Sequence, residues 1–123
     1  MHYLTDRKRA TGKGAAHAGT DHHWFMMVSS VGLAFLIPVF VIAFGRALGG
    51  SHEEVLAFFS RPFIAILTGL TLVTSMRHFA KGAQMMIEDY TQGITRRVLI
   101  IGSISLSWAV TATGLFALAK IAL

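Results

Sequence analysis

Residues 76–93 read MRHFAKGAQMMIEDYTQG and carry one histidine, two basic residues, two adjacent acids and a tyrosine. They follow a long apolar run, and His78 is the ionisable group after Arg77 as that run ends. Such groups are expensive at the edge of lipid and usually face a protein interior or a functional path. An imidazole there has a chemistry to offer, because it is a common axial ligand to haem iron. A hydrated histidine at a helix end fits the position equally well, and position alone leaves both readings open. A six-coordinate haem needs a second imidazole. His2 and His17 lie in a polar N-terminal arm, His22 and His23 at the near interface, and His52 on the opposite side. The second ligand comes more naturally from another chain.

Glu88, Asp89 and Tyr90 form the second group. If a helix continues past His78, then Gly82, Met85 and Asp89 stay on its face. Asp89 then lies about 16 Å along the axis, at ~1.5 Å per residue. One reading is a small-molecule site at the membrane surface, with Tyr90 as donor and Asp89 orienting it or handling protons. A solvated helix end is the simpler one on these residues alone. DHHW at residues 21–24 pairs two histidines, but neighbours point to different faces and no third ligand is spaced to join them. Polar residues before an interfacial Trp24 account for it better.

The elements that must position these groups are membrane helices. Of 123 residues, 54% are hydrophobic and 14% charged, against ~25% charged in soluble domains. Mean hydropathy is +0.60. Trp24–Phe44 spans 21 residues without a charge, Val55–Met76 spans 22 with only Arg61, and Val98–Ala119 spans 22 without one. About 20 apolar residues cross the hydrocarbon core, and the unmet polar groups of an open strand make these runs helices. The expected architecture is an all-α membrane protein of one domain, 1–123. It has a polar arm over 1–23 and transmembrane helices over about 24–45, 54–80 and 96–120, with a polar connector before the third. The first run starts late and is too long for the apolar part of a cleavable leader.

Lys and Arg set the orientation. Arg7, Lys8, Arg9, Lys13, Arg77, Lys81, Arg96 and Arg97 fall on one side, and Arg46, Arg61 and Lys120 on the other. This bias puts the N-terminus in the cytoplasm and the C-terminus in the periplasm. The pI near 10.3 is not gathered into a dense patch, so no nucleic-acid partner is expected. There is no cysteine, which excludes disulfides and iron–sulfur clusters held by this chain. Thr71, Thr74, Ser75, His78 and Gly82 share one helix face, and Ser103, Ser107, Thr111 and Gly114 another. Such small residues let membrane helices approach closely. Beside His78 they also leave room for something flat.

His78, then ten residues, then Asp89-Tyr90, closing the second of three membrane helices, resembles the D-type membrane anchor subunit of succinate dehydrogenase, respiratory complex II. YLTDRKRATGKG, GTDHHW, RPF, MIEDY and ALAKIAL extend the likeness over essentially the whole chain, in its alphaproteobacterial form. The resemblance implies that His78 is an axial ligand of haem b, with a second chain's histidine as the other. It implies that Tyr90 donates to a ubiquinone carbonyl and that Asp89 belongs to the same site. It implies a C-type cytochrome b anchor subunit, an iron–sulfur subunit and a flavoprotein subunit as partners, in the bacterial inner membrane. No complete active site is then expected in this chain. One departure stands out. Relatives often carry an Arg shortly after the first tryptophan, where this chain reads WFMMVSS with Met26 and Met27. Arg77, or His22 and His23, are the residues that could take over that Arg's place near the haem propionates.

Other classes fit less well. A transporter needs an ionisable group deep in a helix, and none of these runs has one near its centre. A haemless assembly subunit is the main rival. An anchor of a fumarate reductase would use the same parts.

Overall fold

The computed structural model describes residues 3, 5–11 and 19–123. His2 and His17 lie outside the described residues. The described chain is helical throughout: α1 (Asp6–Thr11), α2 (Gly19–Ala47), α3 (His52–Phe59), α4 (Pro62–Tyr90) and α5 (Gly93–Ala122). The helices α2, α4 and α5, of 29, 29 and 30 residues, are long and apolar enough to cross a membrane. At ~1.5 Å per residue each exceeds the ~30 Å hydrocarbon core by several turns. Their polar ends therefore stand outside the core.

The helix bounds differ from those expected at the second span. A separate short helix occupies 52–59, and α4 starts at 62 instead of 54. Two local causes act. Ser51 and Glu54 form a capping box: the Ser51 N–H donates to Glu54 Oε2 at 2.8 Å and the Glu54 N–H to Ser51 Oγ at 3.3 Å. The same pair, led by the backbone bond, holds the Glu54 carboxyl below the usual carboxylate range. Then Pro62 forces its predecessor out of the helical region. Arg61 sits at φ −63°, ψ 129°, and Pro62 opens α4 at its first position.

At the other end α4 runs on to Tyr90, well past 80, so most of the expected polar connector is helix. Nothing in KGAQMMIEDY breaks a helix strongly except Gly82, and Gln84 Nε2 donates to Glu88 Oε1 across one turn at 2.8 Å. Only Thr91 and Gln92 separate α4 from α5, and Gly93 takes φ 63°, which an L side chain resists. Arg96 locks this corner. Its Nε donates to Thr91 O at 2.7 Å and its Nη2 to Glu88 O at 2.9 Å, which serves carbonyls that the helix end leaves open.

Among the described residues α4 packs against both α2 and α5, whose backbones do not approach one another closely. The Ser107–Thr111–Gly114 stripe faces α4. Ser107 Oγ donates to Met76 O at 2.7 Å, and Ser107 and Thr111 are buried. The α4 stripe is divided between two neighbours. Thr71 and Ser75 border an apolar cleft of about 440 Å³ with Gly114, Leu118 and Phe40, whereas His78 and Gly82 meet α2.

A Cβ added at Gly114 would collide with Leu72 Cδ2. Leu72 also borders the cleft, so its side chain has space to swing aside. Gly114→Ala is therefore expected to cost no more than ~1 kcal/mol, and Gly114→Phe the ~1–3 kcal/mol of an overpacked interface. Thermal unfolding in detergent measures both, and an equal loss for the two would show that Leu72 cannot move.

Candidate functional site

The site is built on the seam between α2 and α4. Antiparallel pairing sets its register. Ser29 meets His78, a Cβ at Gly82 would lie 3.6 Å from Met26 Cε, and His22 shares a recess with Met85 and Glu88. His22, Met26 and Ser29 are spaced i, i+4, i+7 and so form one face of α2. Gly82 faces the Met26 side chain one turn beyond His78, at a distance that leaves room for a Cβ.

His78 is half-buried, and its Nδ1 lies 2.8 Å from Ser29 Oγ. Ser29 is only 7% exposed, and its hydroxyl also lies 2.7 Å from Phe25 O. No partner within the described chain engages His78 Nε2. One imidazole with one uncommitted nitrogen suits a single axial position. Among the described residues no three His, Cys, Asp or Glu side chains gather into a metal cage.

The other described histidines do not complete it. His22 lies seven residues from Ser29 on α2, about 10 Å along the axis. Two nitrogens on one metal lie within about 4 Å, twice a ~2 Å bond. His22 instead lines a recess of about 260 Å³ with His23, Met26 and Glu88, and its buried Nε2 has no hydrogen-bond partner among the described residues. His52 opens α3 at the far end of the bundle.

Arg77 points elsewhere. Its guanidinium lies over the Trp108 ring of α5, 5.5 Å from the centroid, in a groove with Lys81 and Gln84. Met27 is largely exposed and borders a shallow outward cleft with Trp24, Val28 and Val31.

Asp89 and Tyr90 end α4, and both are exposed, Tyr90 to 85%. Neither is hydrogen-bonded within the described chain through its side chain. The corner that presents them is nonetheless firm, held by Arg96 and by Thr91 Oγ1, which donates to Ile87 O at 2.6 Å. His78 and Tyr90 lie about 18 Å apart along one helix, at ~1.5 Å per residue. The chain thus keeps them as two separate stations.

Ser29 and Arg96 are the positions that the sequence reading passed over. A hydroxyl seven residues after His22 on an apolar helix is visible in sequence, but its pairing with His78 depends on the α2–α4 register.

Residues 1–119 match the model of the succinate dehydrogenase/fumarate reductase transmembrane subunit family. The chain is 50% identical over 123 residues to the succinate dehydrogenase hydrophobic membrane anchor subunit of Paracoccus denitrificans, covering 100% of this chain and 95% of that one. No solved structure matches the chain significantly. With its three spans, this is a multi-pass protein of the bacterial inner membrane, and it belongs to the succinate dehydrogenase/fumarate reductase transmembrane subunit family.

Proposed function

We propose that this chain is the D-type anchor of a succinate:ubiquinone oxidoreductase, binding haem b through His78 and forming part of a ubiquinone site with Asp89 and Tyr90. The N-terminus lies in the cytoplasm and the C-terminus in the periplasm, so the Tyr90 corner faces the cytoplasm. There the iron–sulfur subunit docks and carries electrons from a flavoprotein subunit that oxidises succinate. A C-type cytochrome b anchor subunit supplies the second axial histidine and the remaining walls of the quinone site. The observation that carries this reading is His78 itself, held at Nδ1 by a buried hydroxyl with Nε2 left over.

Haem b, when bound, would supply a one-electron redox centre. The chain's own residues do the rest. His78 offers Nε2 to the iron. Tyr90 donates its hydroxyl proton in a hydrogen bond to a quinone carbonyl and polarises it. Asp89, exposed beside it, passes protons from water. Arg77 offers a positive charge to a propionate if its side chain leaves Trp108.

The test is a reduced-minus-oxidised spectrum of the complex purified through this chain, with succinate-driven ubiquinone reduction measured on the same sample. A low-spin b-type signal and that activity are expected. A complex without haem would make this a haemless anchor.

Arg77→Gln bears on the propionate role. Removing a cation near the haem favours the oxidised form, so the midpoint potential is expected to fall. Unchanged potential and haem content would leave Arg77 as a partner of Trp108 alone.

A further inference from the structure

The proton inventory of one serine decides the state of His78. Ser29 Oγ lies 2.7 Å from Phe25 O and 2.8 Å from His78 Nδ1. A hydroxyl has one proton to donate. Two oxygens 2.7 Å apart with no proton between them would repel, so that proton lies toward Phe25 O. The Ser29 lone pair then faces Nδ1, and Nδ1 must carry the ring's proton. The lone pair of the imidazole is left on Nε2. Ser30 provides the contrast: its Oγ donates to Met26 O at 2.7 Å, it is exposed, and among the described residues it makes no hydrogen bond to a histidine. A membrane serine needs only that backbone bond. Ser29 makes a second one, while buried and across a helix interface.

We propose that Ser29 is a positioning residue for the iron-ligating imidazole: by accepting from Nδ1–H it fixes the tautomer and ring plane that present Nε2 to the metal. This rests on the haem reading of His78. Metal-bound histidines commonly donate their other N–H to an outer partner, which orients the ring and raises its basicity. Here that partner is a hydroxyl whose own proton is committed to the backbone, so it can only accept. A more basic imidazole favours ferric iron, and so the bond lowers the midpoint potential relative to a ring without it.

The test uses the intact complex from membranes carrying Ser29→Ala, with Ser30→Ala as the control for losing a serine-to-backbone bond in the same turn. Haem retention during dilution in detergent, redox titration of the b-type absorbance and the low-spin electron paramagnetic resonance signal are measured. Ser29→Ala is expected to weaken haem binding ~10–100-fold, raise the midpoint potential and shift the low-spin signal, while Ser30→Ala matches wild type. Should Ser29→Ala fail to assemble, Ser29→Cys, a weak acceptor, carries the same expectation. A variant at Ser29 with wild-type potential and resonance overturns the proposal, as does an equal shift in Ser30→Ala. A wild-type complex without haem, or a low-spin signal that survives His78→Ala, overturns the haem reading beneath it.

Discussion

His78→Ala is expected to abolish the low-spin b-type spectrum of the complex, leaving it haem-free or with a high-spin remnant. The expectation follows from ligand count. This chain offers one imidazole at the seam, and His22 is displaced from it by about two helical turns, roughly 10 Å. Among the described residues no neighbour can step in. Folding of the variant is not the obstacle. Ser29 loses a partner but keeps its bond to Phe25 O, so the cost is near the ~1 kcal/mol of one ordinary hydrogen bond. Succinate oxidation by a water-soluble acceptor serves as the control, since in the proposed complex that step would belong to the flavoprotein subunit, and it should persist. An unchanged low-spin spectrum would remove His78 as a ligand.

Tyr90→Phe should slow ubiquinone reduction and little else. The side chain is 85% exposed and its hydroxyl has no partner within the described chain, so deleting one oxygen leaves the fold of this chain untouched. A hydrogen bond to a group gaining negative charge is worth ~1.5–3 kcal/mol. That corresponds to a fall of about 10–150-fold in kcat/KM for the quinone, at ~1.4 kcal/mol per factor of ten. Haem spectrum and succinate oxidation by a soluble acceptor should match wild type. Steady-state kinetics with short-chain ubiquinones would decide it, and unaltered quinone kinetics would take Tyr90 out of the site.

The legibility of this chain in its sequence follows the solvent. Lipid demands long apolar helices, so three spans could be read from charge-free runs. It demands nothing of residues beyond the headgroups, and there the reading stopped too early. KGAQMMIEDY looked like connector because it is polar, yet a helix outside lipid needs only propensity and i,i+4 pairs such as Gln84–Glu88. The Ser51-x-x-Glu54 capping signature and the Pro62 restriction on Arg61 were both present in the letters, but a second span opening at 54 passed over them. At the candidate site, residue type and position raise His78, Asp89 and Tyr90 as candidates, and it is the resemblance to a known family that favours them over a solvated helix end. Ser29 was not legible, because its meaning lies 49 positions away and appears only when α2 and α4 are laid in register. The walls of the proposed quinone site were not legible either, since Tyr90 projects, exposed, from the end of α4.

The unbroken run of α4 from Pro62 to Tyr90 turns length into phase. Each residue of an α-helix adds about 100° of rotation and ~1.5 Å of rise. A single deletion between Phe79 and Asp89 would therefore swing the Tyr90 corner through more than a quarter circle relative to the ring of His78, while moving it hardly at all along the axis. A seven-residue insertion would nearly restore the angle but lengthen the separation by about 10 Å. Substitutions in this segment are local events. Changes of length are not, because a stiff rod without a hinge carries them whole to the far end, where they act on the angle between the His78 ring and the Tyr90 corner.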